Sequence, residues 1–418
     1  METIKNIAQE LRLPSLTGGT GKLYRGDKVI WAIVVLLVFI SLLVVYSSTG
    51  SLAYRHNKGN EFYLFKQFGF IVIGVLIIYF SHRINYTLFS RIALWMYIFS
   101  IPLLLYTLIF GSNLNEANRW IMLPVVHMTL QTSDLAKLAL FMLLARQLSR
   151  KQDVITDWKK GFLPLMAPVV LTCILIAPAN LSTCLLVGAN SMLLMFIGRV
   201  QIKHLLLAIG IMLIPVVLLI LIAVGTYKAP NSNVVAQQNA VVKDMKSHGR
   251  VGTWIHRVQD FIYAKQDEVP YQVQQANIAI ATGRWFGLGP GNSQSRNYLP
   301  HPYSDYIFAI IIEEYGIIGG VVILFIYMVF LYRCVRLFKK SPYAFGAFLA
   351  LALSVSLVIQ ALANMAVNVG LMPVTGVTLP LVSMGGSSFL FTCFAIGIIL
   401  SVARNVEQLE GNGNAITN

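Results

Sequence analysis

The stretch Val29-Ile-Trp-Ala-Ile-Val-Val-Leu-Leu-Val-Phe-Ile-Ser-Leu-Leu-Val-Val-Tyr-Ser-Ser48 carries no charge, and Lys22, Arg25 and Lys28 stand just ahead of it. About 20 such residues make a helix that crosses the hydrocarbon core of a bilayer, and a helix is the form that satisfies every backbone N–H and C=O within one segment. The run is too long for the core of a signal peptide, so no cleavable signal is expected. The whole chain agrees with this reading. Of 418 residues, 56% are hydrophobic and 12% are charged, against about 25% charged in a soluble domain. These values exclude a soluble enzyme and a disordered chain. The net charge of +15 falls in short clusters between apolar runs, which fits membrane orientation and not nucleic-acid binding.

The expected fold is all-α and polytopic, with spans near 29–48, 67–81, 92–110, 133–148, 162–178, 183–199, 204–227, 304–333, 343–371 and 387–403. The fourth is short and holds Asp134 and Lys137, so it must face protein or water. A tight turn at Pro178–Ser182 joins the fifth and sixth. Basic residues collect before the first span and in alternate connections: Arg83 and Arg91; Arg146, Arg150, Lys151, Lys159 and Lys160; Arg199 and Lys203; Arg333, Arg336, Lys339 and Lys340. The intervening connections are poorer in them. The positive-inside rule then places both termini in the cytoplasm. Three regions follow: a cytoplasmic tail over 1–28, a membrane domain over 29–403 and a cytoplasmic tail over 404–418. Cys173, Cys184, Cys334 and Cys393 lie in or beside apolar runs without C-x-x-C spacing, so neither a disulfide framework nor a metal site is expected.

Residues 228–303 form one long outer connection. Loops of this length are functional or disordered, and this one is not of low complexity. Val251, Trp254, Ile255, Val258, Phe261 and Ile262 recur at helical spacing, flanked by Arg250 and Arg257. That pattern predicts a short amphipathic helix on the outer membrane surface or on the bundle. With no clear internal repeat, an inverted-repeat transporter is not expected.

Ionisable residues inside spans mark functional sites by default, and four carboxylates qualify: Asp134, Asp305, Glu313 and Glu314. Asp305, in His301-Pro302-Tyr303-Ser304-Asp305-Tyr306, also suits a helix N-cap. Glu313 and Glu314 also suit a buried ion pair with a cation such as Lys137. Gly287-Leu288-Gly289-Pro290-Gly291 lacks the strand and helix that a dinucleotide loop requires. Gln360, Asn364 and Asn368 share one helix face, as residues that bind helices together or line a cavity do.

Three segments carry a resemblance. The run Asn368-Val-Gly-Leu-Met-Pro373-Val-Thr375-Gly376-Val-Thr-Leu-Pro380-Leu-Val-Ser383-Met384-Gly385-Gly386-Ser387-Ser388 resembles the signature of the SEDS family, named for shape, elongation, division and sporulation. So do Leu299-Pro300-His301-Pro302-Tyr303-Ser304-Asp305-Tyr306 with Glu313-Glu314-Tyr315-Gly316, and Arg119-Trp120 with Gln131-Thr132-Ser133-Asp134-Leu-Ala-Lys137. The likeness covers about residues 29–405. Arg257-Val258-Gln259-Asp260-Phe261 and Tyr271-Gln272-Val273-Gln274-Gln275 are more similar to the division branch of the family than to the elongation branch. There are departures. The usual Gln-Pro-Ser-Glu reads Gln131-Thr132-Ser133-Asp134, His-Thr-Asp-Phe reads Tyr303-Ser304-Asp305-Tyr306, and the Pro-Asp after the fifth span reads Pro178-Ala179-Asn180, without its acid.

The resemblance implies a glycosyltransferase that polymerises lipid II into glycan strands on the outer face of the bacterial cytoplasmic membrane, at the division septum. Alternatives within it are a lipid II flippase, a scaffold without chemistry, and an elongation role. It implies a growing strand on undecaprenyl pyrophosphate as donor. It also implies a class B penicillin-binding protein and other division proteins as partners. Asp305 is then the expected base. Arg119, Trp120, Asp134, Lys137, Arg257, Glu313, Glu314, Gln360, Asn364, Ser387 and Ser388 are the expected substrate-binding set. A divalent cation, magnesium or manganese, is a candidate companion of the pyrophosphate, with no dedicated metal cage.

Overall fold

A computed structural model describes residues 26–50, 52, 59–114, 117–123, 128–226, 249–263 and 270–416. The tail before Gly26, and the parts of the long connection at 227–248 and 264–269, lie outside them. The helices are α1 Lys28–Ser48, α2 Asn60–Arg83, α3 Tyr86–Phe110, α4 Thr132–Arg150, α5 Leu163–Ile176, α6 Leu181–Ile197, α7 Ile202–Gly225, α8 Gly249–Tyr263, α9 Tyr271–Gly283, α10 Ile307–Lys340, α11 Ala344–Asn368 and α12 Ser387–Ile416. A π-helical turn over Trp158–Phe162 leads into α5.

Side-chain caps set several starts. The Asp27 carboxylate accepts from Val29 N and Ile30 N at the head of α1. Asn85 accepts from Thr87 N at α3, and Asn180 accepts from Thr183 N at α6. Each supplies an acceptor to backbone donors that the helix itself leaves unpaired. The Asn85 cap explains why α3 starts at Tyr86 and not near residue 92: the first turn is capped and buries Tyr86 and Phe89. Likewise α2 starts at Asn60, well before 67, with Glu61 in its first turn, where a carboxylate complements the helix dipole.

Among the described residues, eight helical segments are long and apolar enough to cross a membrane: α1, α2, α3, Trp158–Ile176, α7, α10, α11 and α12. The other two expected spans are α6, which is shorter, and α4, which carries Asp134, Lys137, Arg146 and Arg150. Helix α4 is instead enclosed by protein. Ala136, Ala139, Leu140, Met142, Leu144, Ala145 and Leu148 are all 0% exposed, and α3, α5, α6, α11 and α12 pack around it. At the opposite extreme, only 11% of the apolar stretch of α7 is buried.

Two features depart from the expectation of helices alone. Between α3 and α4 lies an antiparallel sheet of β1 Ser112–Leu114, β2 Ala117–Leu123 and β3 Met128–Gln131, in that order. Trp120 pairs with Gln131 across it, which hands the chain directly to α4. Helix α12 also runs on to Ile416, through residues assigned to the C-terminal tail.

The expected helix of the outer connection is α8. It packs against α7 through Gln259, which donates to Ala223 O at 2.8 Å and Thr226 Oγ1 at 3.2 Å. It therefore lies on the bundle, with Phe261 and Ile262 of its apolar stripe left half exposed.

The Gly-rich stretch 283–291 is a backbone stitch. Leu288 N donates to Glu313 O at 2.9 Å, Gly289 N to Glu314 O at 3.0 Å, and Ile317 N to Arg284 O at 2.9 Å. These bonds satisfy groups freed where α10 kinks at Gly316, whose φ is +73°. A Cβ on Gly316 would stand 2.1 Å from Trp285 O, and one on Gly287 would stand 2.2 Å from Glu314 O. Glycine is required at both points by backbone angle and by space.

Candidate active site

Helix α10 begins at Ile307, later than the expected 304, so Asp305 sits in the turn before it. The position before the helix is Tyr306, and no side chain caps it. The N-cap account of Asp305 therefore fails. Its carboxylate is partly exposed and accepts from Ser304 Oγ at 2.8 Å. Its backbone carbonyl is held instead: Asn364 Nδ2 and Asn368 Nδ2 each donate to it at 2.9 Å. Ser383 Oγ donates to Ser304 O at 2.7 Å, and Met384 N donates to Tyr303 O at 2.9 Å. The turn is thus fixed through its backbone, which leaves the carboxylate for chemistry.

The amides on α11 form a continuous ladder. Asn368 Oδ1 accepts from Ala309 N at 3.1 Å, which ties in the first turn of α10. One turn down, Asn364 Nδ2 also reaches Val377 O at 2.7 Å. Another turn down, Gln360 donates to Thr378 O at 3.1 Å and accepts from Lys137 Nζ at 2.9 Å. Residues four apart on a helix stack on one face, so this row clamps the irregular segment 374–380 and joins the Asp305 turn to the charged pair on α4.

That pair is a buried ion bridge. Lys137 Nζ lies 3.0 Å from Asp134 Oδ1, one turn earlier on α4. It borders a cavity of about 30 Å³ lined by Gln131, Asp134, Lys137, Asn190, Gln360 and Ser388, among others. The space suits a water molecule or a small polar group, not a sugar. Asp134 Oδ2 and Asn190 Oδ1 are buried there without a hydrogen-bond partner, so the lining offers acceptors beside one ammonium. It does not suit a divalent cation held by protein alone, because the ammonium 3.0 Å from Asp134 already takes the place of the positive charge. Among the described residues no cluster of three or more His, Cys, Asp or Glu could hold a metal.

The structure gathers Asp134, Lys137, Gln360 and Ser388 at this cavity. Asn364 serves as clamp. Ser387 Oγ accepts from Gln131 N at 2.9 Å and so fixes the end of β3 to the start of α12. Arg257 Nη1 donates to Val374 O at 3.1 Å, which docks α8 on the 374–380 segment. Burial pushes the Tyr306 phenol up; Asp305 adds to this and Arg257 opposes it. Arg257 is therefore within electrostatic reach of the turn. Trp120 lies on β2 in register with Gln131. Arg119 shares that strand, but its side chain is outside the described residues.

Glu313 and Glu314 do not pair with Lys137. Glu313 accepts from Gln294 N and Ser295 N at 3.1 Å, from Ser295 Oγ at 3.0 Å and from Ser293 Oγ. Glu314 accepts from Ser47 Oγ of α1. Both are buried, at 0% and 1% exposure. They anchor the stretch 293–296 and α1. Sequence reading missed Asn190 and Thr183 of α6, which complete the cavity wall. They lie seven residues apart, two turns along one face of a largely apolar helix, and that spacing is the signal that could have found them.

The family described as cell cycle protein, covering FtsW, RodA and SpoVE, matches residues 27–408. Two similar relatives are each 30% identical. One is the probable peptidoglycan glycosyltransferase FtsW of Trichlorobacter lovleyi, aligned over 91% of this chain and 94% of its own. The other is the stage V sporulation protein E of Bacillus subtilis, aligned over 90% and 97%. Among solved structures, the rod shape determining protein RodA of Thermus thermophilus is similar with a TM-score of 0.63 at 20% identity, over 91% of this chain and 97% of that one. A chain solved in work on the coordination of polymerization and crosslinking by a peptidoglycan synthase complex is similar with a TM-score of 0.67 at 22% identity, over 92% and 99%.

Proposed function

The chain belongs to the FtsW, RodA and SpoVE family of cell cycle proteins, and on that premise we propose that it is a peptidoglycan glycosyltransferase of the cytoplasmic membrane that polymerises lipid II. The observation that carries the reading is the Asp305 turn: a carboxylate whose backbone is clamped by Asn364 and Asn368 while its side chain stays accessible. In glycan polymerisation the acceptor's sugar hydroxyl attacks the anomeric carbon of the donor strand, and undecaprenyl pyrophosphate leaves. Asp305 takes the hydroxyl proton, a role worth about 10²–10⁴-fold in rate. Lys137, with Asp134 steadying it, supplies positive charge toward the leaving pyrophosphate. Arg257 and the strand that carries Arg119 and Trp120 border the approach. A divalent cation accompanying the pyrophosphate remains an expectation from the family resemblance, and no step is routed through it.

The same reading places the 228–303 connection on the outer face, both termini in the cytoplasm, and the protein at the division septum with a class B penicillin-binding protein and other division proteins. The similarity to FtsW-named relatives supports the division role. The purified chain, reconstituted with lipid II and its transpeptidase, should produce glycan strands of many disaccharide units. Movement of lipid II across the bilayer with no strand formed would support a flippase and overturn the proposal. Partner binding with neither activity would leave a scaffold.

A further inference from the structure

At the end of the bundle that carries Asp27 and Glu407, the chain builds a basic and aromatic surface that the catalytic reading does not use. Three connections meet there. Helix α4 ends at Arg150 and Lys151, the π-helical turn Trp158–Phe162 precedes α5, and the 198–203 bend joins α6 to α7. They touch through named contacts. Lys151 Nζ donates to Lys160 O at 3.1 Å. Trp158 stacks near Phe162 with centroids 4.9 Å apart and meets His204 edge-on at 4.8 Å. A Cβ on Gly198 would stand 2.7 Å from the Leu148 side chain. The turn is also pinned from below, since a Cβ on Gly161 would fall 2.3 Å from Val154 O.

The result is a rigid platform that presents Arg150, Lys159, Lys160, Arg199 and Lys203, all exposed, with Lys151 half exposed. Among the described residues none of these six has a carboxylate within ion-pair distance. The nearby Asp157 is spent on the backbone: its Oδ1 accepts from Lys159 N at 2.8 Å and Lys160 N at 3.2 Å. These two bonds hold its carboxyl below the usual carboxylate range, and the charges of Lys160 and Lys159 add to the effect. The Lys151 bond to the Lys160 carbonyl ties the end of α4 to the π-helical turn. Around this positive set lie exposed apolar side chains: Val154 38%, Trp158 38%, Leu163 51%, Phe196 56% and Ile202 59%. Apolar groups beside cations and an indole are the chemistry of the membrane interface, and basic pockets between helices hold anionic headgroups there.

We propose that this platform is a binding site for the phosphodiester headgroup of an anionic phospholipid, with Lys159 and Lys160 on the phosphate and Trp158 and Ile202 against the acyl chains. A general ring of positive charge would orient the protein equally well. What distinguishes this cluster is its fixed backbone, six cations against the backbone-bonded carboxylate of Asp157, and the adjoining aromatic cluster of Trp158, Phe162 and His204.

The test uses the full chain in detergent with defined lipids, read by native mass spectrometry of retained lipid. Phosphatidylglycerol is compared with phosphatidylcholine, with inorganic phosphate as a competitor. Lys159→Gln/Lys160→Gln is compared with Arg336→Gln/Lys339→Gln, a pair at the same end of the bundle but outside the platform. The parent should retain phosphatidylglycerol over phosphatidylcholine. Lys159→Gln/Lys160→Gln should lower that preference roughly tenfold, and the Arg336→Gln/Lys339→Gln pair should leave it within twofold. Equal retention of both lipids by the parent, or equal losses in the two variants, would overturn the site. Displacement of the lipid by millimolar phosphate would make it a site for free anion and would equally overturn it. None of these substitutions touches the Asp305 region, so the outcome is independent of the polymerase reading.

Discussion

Lys137 takes the hydrogen-bond capacity of two partners, Asp134 and Gln360, and still faces the cavity. A side chain so placed gives a clear expectation: Lys137→Met should lower lipid II polymerisation by about 10²-fold while the protein still inserts and purifies. Activity equal to the parent would remove Lys137 from the leaving-group site. Glu313 predicts the opposite pattern. It is fully buried and holds two backbone N–H groups and two serine hydroxyls. Orphaning such donors costs about 1–3 kcal/mol each, so Glu313→Ala should lower the yield of folded protein and its thermal midpoint, and a thermal-shift assay checks it. Sequence reading found both residues but gave Glu313 the wrong partner. A carboxylate two turns inside a span looks like half of an ion pair, and the serine-rich stretch that satisfies it sits in a connection with no periodicity to place it. The four-residue spacing of Gln360, Asn364 and Asn368, by contrast, was legible as a shared face, because helical periodicity is local.

Two elements decide the shape of the site: the α10 kink and the amide face of α11. At the kink, Gly316→Ala would force a Cβ into the Trp285 carbonyl at an unfavourable positive φ. It should destabilise the fold by about 3 kcal/mol or more, visible as a drop in melting temperature, whereas the same change at Gly210, where a Cβ meets nothing within 4 Å, should not destabilise. On α11, Asn364→Leu would free Val377 O and leave the Asp305 carbonyl with the Asn368 bond alone. Polymerisation should fall at least tenfold, and protease sensitivity should rise in the 374–380 segment; unchanged cleavage there would count against the clamp. The sheet before α4 was not legible. β1 is only 3 residues long, and β2, Ala-Asn-Arg-Trp-Ile-Met-Leu over 117–123, does not alternate apolar with polar residues, so the period-two pattern of a strand is missing.

At the scale of the whole molecule, the apolar runs located every long helix. Bilayer thickness sets their length, and charges between the runs are costly to bury. What composition could not show is enclosure: α4 is too polar to face lipid and is surrounded by α3, α5, α6, α11 and α12. The topology has its own check. Cysteines introduced as Ala240→Cys, outside the described residues, and Lys339→Cys should label from opposite sides of sealed vesicles, and labelling from one side would overturn the orientation. The partner proposal predicts copurification with a single-span transpeptidase in mild detergent. The most direct test joins these scales in the reconstituted complex: lipid II turnover by Asp305→Asn. Asparagine keeps an oxygen for Ser304 Oγ and leaves the Asn364 and Asn368 bonds to the backbone carbonyl intact, so folding and partner binding should match the parent. Loss of the base should cut strand synthesis by about 10²–10⁴-fold. Turnover within a few-fold of the parent, from a folded and partner-bound protein, would contradict the assignment of Asp305 as the catalytic base.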